Sequence, residues 1–154
     1  MIVSSRGLNL IQNFEGCARR LPDGRLKAYP DPATGAAPWT IGWGTTGPDV
    51  RPGTIWSQAQ ADARLKTDVT VCAGKVERLL DGAATTQGQF EAMVCLAYNI
   101  GLGNFGTSTL LKRHKEGKFE AAQAEFARWN KAAGKVLPGL TKRRAAEAAL
   151  YGKD

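Results

Sequence analysis

No stretch of this chain stays apolar long enough to cross a membrane, and Arg6, Asn9, Gln12 and Asn13 interrupt its first fourteen residues. A signal peptide needs an unbroken apolar centre, so the sequence reads as a chain that starts in the cytoplasm, without stable membrane insertion. Histidine is nearly absent: His114 is the only one. It lies in Lys112-Arg113-His114-Lys115, a basic run suited to a helix end, where a surface role is expected. A single histidine excludes histidine-rich metal sites, and no Gly-x-Ser-x-Gly elbow points to a serine nucleophile. Three cysteines, Cys17, Cys72 and Cys95, form no Cys-x-x-Cys pair and are too few for a disulfide framework. Free thiols are expected, with Cys72 and Cys95 as small buried hydrophobes. Neither a metal nor a cofactor is implied.

What is present fits one globular domain. The 154 residues are 43% hydrophobic and 23% charged, with no repeats or low-complexity tails. An excess of 21 Lys and Arg over 14 Asp and Glu gives a net charge of +7. Such a charge speeds encounter with any polyanion, whether nucleic acid, anionic membrane or an envelope bearing teichoic acid. Against nucleic acid, no recognised binding motif appears. Gly101-Leu102-Gly103-Asn104-Phe105-Gly106 fits a dinucleotide fingerprint, but a helical pattern rather than a strand precedes it. A glycine-rich turn between helices is the better reading.

Leu8, Leu10, Ile11 and Phe14 predict a short helix from Ser5, with Ser4 or Ser5 as N-cap and Gly16 as a left-handed terminator. Six of the seven prolines fall between Arg19 and Pro52, where turns and short strands are expected: Leu26–Tyr29 and Trp39–Gly44. Ser57-x-x-Gln60 is a capping box opening a long helix with Leu65, Val69, Cys72, Val76 and Leu79 or Leu80 on one stripe. Thr86-x-x-Gln89 opens another. Shorter helices are predicted over Ser108–His114 and Lys118–Trp129, and a last one from about Thr141 to Leu150. The fold class is therefore α+β: a small N-terminal antiparallel β lobe, about residues 17–56, and a larger helical lobe, about 57–154 plus the first helix.

With other nucleophiles set aside, carboxylates remain. Glu77, Asp81, Glu91, Glu116, Glu120 and Glu147 lie on helical faces beside basic residues or near helix ends and are expected to be solvated. Two stand apart. Glu15 closes an apolar helix beside Phe14 and Ile11, a setting in which a carboxyl group can keep the proton a general acid needs. Asp31 lies in the rigid corner Tyr29-Pro30-Asp31-Pro32. From the residues alone, a surface carboxylate and a turn former remain the alternatives.

The ordered set changes the weighing. Phe14-Glu15-Gly16, Tyr29-x-Asp31 and Trp39-Thr40-Ile41-Gly42-Trp43-Gly44 resemble the catalytic region of phage-type lysozymes, glycoside hydrolase family 24. The similarity continues through Gln89-Phe90-x-Ala92, Tyr98-Asn99-x-Gly101, Ser108-Thr109-Leu110-Leu111, Phe126-x-x-Trp129, Gly139-Leu140-x-x-Arg143-Arg144 and Glu147-x-x-Leu150-Tyr151. This resemblance implies a lysozyme-like fold whose long helix joins the two lobes. The implied enzyme is an endolysin hydrolysing the β-1,4 bonds between N-acetylmuramic acid and N-acetylglucosamine in bacterial peptidoglycan.

In that pattern Glu15 is the general acid, Asp31 the second carboxylate and Thr40 the hydroxyl that helps hold the attacking water. An inverting reaction calls for carboxyl groups roughly 6.5–9.5 Å apart. A sugar-binding cleft would be lined by Tyr98, Asn99, Ser108 and Thr109, with Thr46 at its β-lobe edge. A monomer reaching the wall through a holin-type membrane lesion is also implied. The alternatives are a lytic transglycosylase, which uses Glu15 without an Asp31-held water, and a non-catalytic wall-binding module. Three departures from the common pattern stand out: a longer Cys17–Ala28 hairpin, an added Thr34–Pro38 segment, and Thr45 where a histidine often stands. Insertions on both sides of Asp31 make Asp23 the fallback.

Overall fold

A computed structural model describes residues 1–32 and 34–154. They form two compact units, one of residues 11–68 and one of residues 1–10 with 69–154. Helix α1 (Ser5–Glu15) and helix α2 (Gln58–Leu80) each contribute to both.

In the unit of residues 11–68, strand β1 (Leu26–Lys27) pairs antiparallel with β2 (Ile55–Trp56), Leu26 opposite Trp56 and Lys27 opposite Ile55. Single bridges join Tyr29 to Thr40 and Ile41 to Thr45. The small β region is present, but smaller than the sequence suggested. Trp39–Gly44 supplies single bridges around a tight corner rather than a longer paired strand, because Gly42 and Gly44 take positive φ (63° and 81°) and turn the chain back on itself. The partner of Leu26 lies near residue 55, beyond the reach of any local signal. Leu26, Ala28, Ile41, Val50 and Ala61 make the core here, with Trp39, Trp43 and Trp56 packed against it. The Ser57/Gln60 capping box forms: Gln60 N donates to Ser57 Oγ (3.1 Å) and Ser57 N to Gln60 Oε1 (2.8 Å).

The other unit is helical. Along α2 the stripe Val69, Cys72, Val76 and Leu80 is buried, as its spacing required. Helix α3 (Gln87–Ile100), started by the complete Thr86/Gln89 capping box, is buried on all sides from Gly88 to Ala97. Short helices α4 (Leu102–Gly106), α5 (Thr109–Lys115) and α6 (Phe119–Glu125) follow, then a 3-10 turn over Phe126–Arg128. The glycine-rich segment thus forms the short helix α4 rather than the turn expected there. Helix α7 (Pro138–Tyr151) packs chiefly on α3 and begins three residues before the expected Thr141, with Pro138 in its first turn. An exposed hairpin, β3 (Lys131–Ala132) and β4 (Lys135–Val136), precedes it. It went unpredicted, although Ala133 and Gly134 at φ 50° and 77° are its turn.

Three expected surface groups are buried. His114 is 1% exposed, between Tyr151 Oη (2.6 Å from Nδ1) and Thr85 Oγ1 (2.9 Å from Nε2). Burial pushes its imidazole below the usual histidine range, against a hydrogen bond with the Ala84 backbone. Glu91 is sealed beneath the start of the chain, accepting from Ser4 N (2.7 Å), Ser4 Oγ, Arg6 Nε (2.9 Å) and Gln87 Nε2 (3.0 Å). Burial pushes this carboxyl up, but the hydrogen bonds from Ser4, Gln87 and Arg6 outweigh it and hold it below its ordinary value. Arg6 also reaches Asp154 at 2.8 Å, so one guanidinium joins two carboxylates, Glu91 and Asp154. Glu147 is sealed between two arginines. No sequence-local rule foresees these burials, since most of the partners lie far along the chain. Cys17, Cys72 and Cys95 are free thiols, the last two buried. Among the described residues no helix is long and apolar enough to cross a membrane.

Candidate active site

Glu15 is the last residue of α1. Gly16 follows at φ 66°, its N–H on the Gln12 carbonyl at 3.0 Å, so the helix stops there and the half-buried carboxylate stands at its C-terminal end. The turn Ile41–Thr45 comes up against it. Ile41 N donates to Thr45 O (2.9 Å) and Thr45 N to Ile41 O (3.0 Å), closing a loop with both glycines inside. A Cβ on Gly42 would lie 2.8 Å from Ala61 Cβ, and one on Gly44 only 2.7 Å from Glu15 Oε2. The first glycine therefore seats the turn on α2, while the second brings bare backbone to the carboxylate. Between them Trp43 donates its indole N–H to Asp62 Oδ1 (2.7 Å), which also accepts from Gln58 Nε2 (2.8 Å). That pair fixes the turn from the α2 side. Thr45 is 2% exposed, and its hydroxyl has no hydrogen-bond partner among the described residues.

Thr40 and Tyr29 exchange backbone hydrogen bonds, both 2.9 Å. Asp31 stands two residues beyond Tyr29. Its N–H donates to Ala36 O (2.9 Å), and its carbonyl accepts from Thr34 N (3.2 Å) and Gly35 N (2.7 Å). The added Thr34–Pro38 segment thus begins as a turn folded on the backbone of Asp31, while its side chain is half-buried. Burial raises the Tyr29 phenol, with Arg19 opposing and the charge of Glu15 adding to the rise. Arg19 lies 5.4 Å from the centre of the Tyr29 ring. Glu15, Tyr29, Thr40 and Gly44 are therefore linked through neighbours within residues 11–68, and Asp31 lies on the Tyr29 segment. Asp23 is engaged elsewhere. It is exposed and accepts from Arg25 N (3.0 Å) and Arg25 Nε (2.7 Å), and these two bonds hold its carboxyl below the usual range.

The expected sugar contacts of the helical unit sit in different settings. Tyr98 is half-buried and Asn99 exposed, both in the last turn of α3. Ser108 is buried, and its hydroxyl accepts from Leu111 N (3.1 Å) and donates to Phe105 O (2.6 Å), so it caps α5. Thr109 is exposed and lines a cavity of about 490 Å³ with Thr107, Lys112 and Lys115. Thr46 is exposed, beside the Ile41–Thr45 turn. Sequence reasoning missed Asp62 as the anchor of Trp43, since nothing in its helix pattern marks it. It also missed the contact of Arg144 with Asn99. Among the described residues no cluster of three or more His, Cys, Asp or Glu could hold a metal.

The family model described as Phage lysozyme matches residues 12–147. The endolysin of Bacillus phage PZA is 44% identical over 151 residues, 98% of this chain but 55% of that protein, so the chain spans about half the length of that relative. Among solved structures, an endolysin from Escherichia coli O157:H7 phage FAHEc1 superposes with a TM-score of 0.82 at 33% identity, covering 99% of this chain and 94% of that one. The muramidase domain of SpmX from Asticaccaulis excentricus gives 0.80 at 33% identity, covering 99% and 98%.

Proposed function

Because the chain belongs to the phage lysozyme family, we propose that it is an endolysin-type lysozyme, a glycoside hydrolase acting on the β-1,4 bonds between N-acetylmuramic acid and N-acetylglucosamine. Glu15 donates its proton to the glycosidic oxygen as the bond to the sugar carbon breaks. Positive charge gathers on that carbon and its ring oxygen, where the Asp31 carboxylate opposes it. A water held by Asp31 and the Thr40 hydroxyl adds from the opposite face and gives its proton to Asp31, so the product inverts. Proton exchange with solvent resets both carboxyls. Thr46, Tyr98, Asn99 and Thr109 are assigned to sugar binding, and Ser108 supports Thr109 as the cap of its helix.

The observation that carries this reading is the Gly44 contact: bare backbone lies where any side chain would strike Glu15 Oε2. A solvated surface carboxylate needs no such clearance. Glu15→Gln is expected to fold and to leave a wall suspension turbid, with mass spectrometry of wild-type digests showing reducing muramic acid ends. Anhydromuramyl ends would instead assign a lytic transglycosylase. Undiminished clearing by the glutamine variant removes the mechanism, and wall binding without any release of sugar leaves a binding module. Access to the wall through a holin-type lesion, and action as a monomer, belong to the same proposal. Co-expression in a bacterium is expected to lyse cells only with a holin, and sedimentation to give one chain per particle.

A further inference from the structure

Asn99 faces solvent, but the residues behind it are sealed. Arg144, on α7 and 1% exposed, gives Nη2 to Asn99 Oδ1 at 2.8 Å and Nη1 to the Trp129 carbonyl at 3.2 Å. Its Nε and Nη2 lie 2.7 Å and 3.0 Å from the Glu147 carboxylate. Arg143, 3% exposed, sets Nε on the same carboxylate at 3.2 Å and Nη2 on the Cys95 carbonyl at 3.2 Å. Two buried guanidiniums share one carboxylate, so one positive charge is left over. Two backbone carbonyls and the Asn99 amide oxygen are among the acceptors that answer it. Sealed in this way, neither arginine offers its charge to a ligand at the surface.

A guanidinium can only donate hydrogen bonds. The contact with Arg144 therefore fixes which way the Asn99 amide is turned, oxygen inward and NH₂ away. Rotating the amide would set its NH₂ against N–H donors and lose a charge-assisted bond, disfavouring that state by about tenfold or more. What a ligand meets at Asn99 is a hydrogen-bond donor.

We propose that Arg144 is a positioning residue that holds Asn99 as an outward donor, selecting glycans by the acyl carbonyl of an N-acetylated sugar. The inference rests on the peptidoglycan reading and names the sugar group that this part of the site recognises. Asn99→Asp separates it from a purely structural role. The aspartate is the same size and still pairs with Arg144, but it turns an acceptor outward where the NH₂ stood.

The probes are chitohexaose and cellohexaose, both uncharged and differing in the acetamido group, titrated into the whole chain by NMR. The wild-type protein is expected to bind chitohexaose at least about tenfold more tightly. Asn99→Asp is expected to shrink that ratio by about fivefold to tenfold at an unchanged melting temperature. Arg144→Met should shrink it too, and Arg144→Lys should restore part of it. A wild-type ratio near one, or an unaltered ratio in Asn99→Asp, overturns the proposal. Wall clearing is scored separately. A wild-type protein that clears no wall but still discriminates between the oligosaccharides through Asn99 removes hydrolysis and keeps this inference, while clearing without that discrimination does the reverse.

Discussion

In residues 11–68 the close approaches are made by turn glycines at positive φ, Gly42 against Ala61 and Gly44 against Glu15. Charges there pair at the surface, as Arg64 does with Asp49 (2.6 Å) and Asp68 (3.2 Å). In the helical unit two of the close approaches are made by glycines inside helices. A Cβ on Gly88 would lie 2.6 Å from the Leu150 carbonyl, and one on Gly7 2.8 Å from Val3 Cγ1 and 3.1 Å from Glu91. That unit also seals two carboxylates in its interior, Glu91 and Glu147. One unit uses glycine to shape a loop around an accessible carboxylate; the other uses it to bring helices together over fixed buried charges. A change to the first should therefore act on chemistry, and a change to the second on stability.

The sharpest break comes from Glu147→Ala, which leaves two buried guanidiniums without their shared partner and should cost about 3–5 kcal/mol in a denaturant titration. A loss no larger than that of a helix cap would mean the cluster is not tightly packed. Gly44→Ala comes next. Its methyl group displaces Glu15, so wall clearing should drop about 100-fold, while the strained positive φ costs stability of only about 1 kcal/mol. Equal losses of activity per folded molecule in Gly44→Ala and Gly88→Ala would erase the contrast. For Gly88→Ala, overpacking against α7 should cost about 1–3 kcal/mol, with turnover per folded molecule retained. The capping boxes, one at the start of α2 and one at the start of α3, give a matched pair. Thr86→Ala should cost about 1 kcal/mol, and Ser57→Ala, in a more exposed box, less.

Acid provides the mildest probe. His114 holds its proton less readily in the folded chain than in the unfolded one, whose value is about 6.5. Its contribution is complete above that pH and is lost as pH falls toward the folded value. Melting temperatures of wild type and His114→Gln should therefore converge on moving from pH 7.5 to pH 5. A constant gap would mean that the ring titrates alike in both states.

The boundaries legible from sequence were those set within a few residues: both capping boxes, the Gly16 terminator and the Leu65–Leu80 stripe. Motif order also brought out Glu15, Asp31 and Thr40, whose assigned roles await the experiments above. Leu26 meets Trp56, His114 meets Tyr151 and Arg144 meets Asn99 across long stretches of chain, so local propensity carried no trace of those pairings. The basic run around His114 suggested a surface because Lys112 and Lys115 do face water. Helical geometry turns His114 inward all the same.

Glu91 gathers Ser4 and Arg6 from one end of the chain, and Arg6 carries the connection to Asp154 at the other. Loosening either segment must then pull at the same guanidinium. Backbone amides near residues 4 and 152 should exchange with solvent deuterium in step, and neutralising Arg6 should release both together. Heat would find one knot to undo there, not two loose threads.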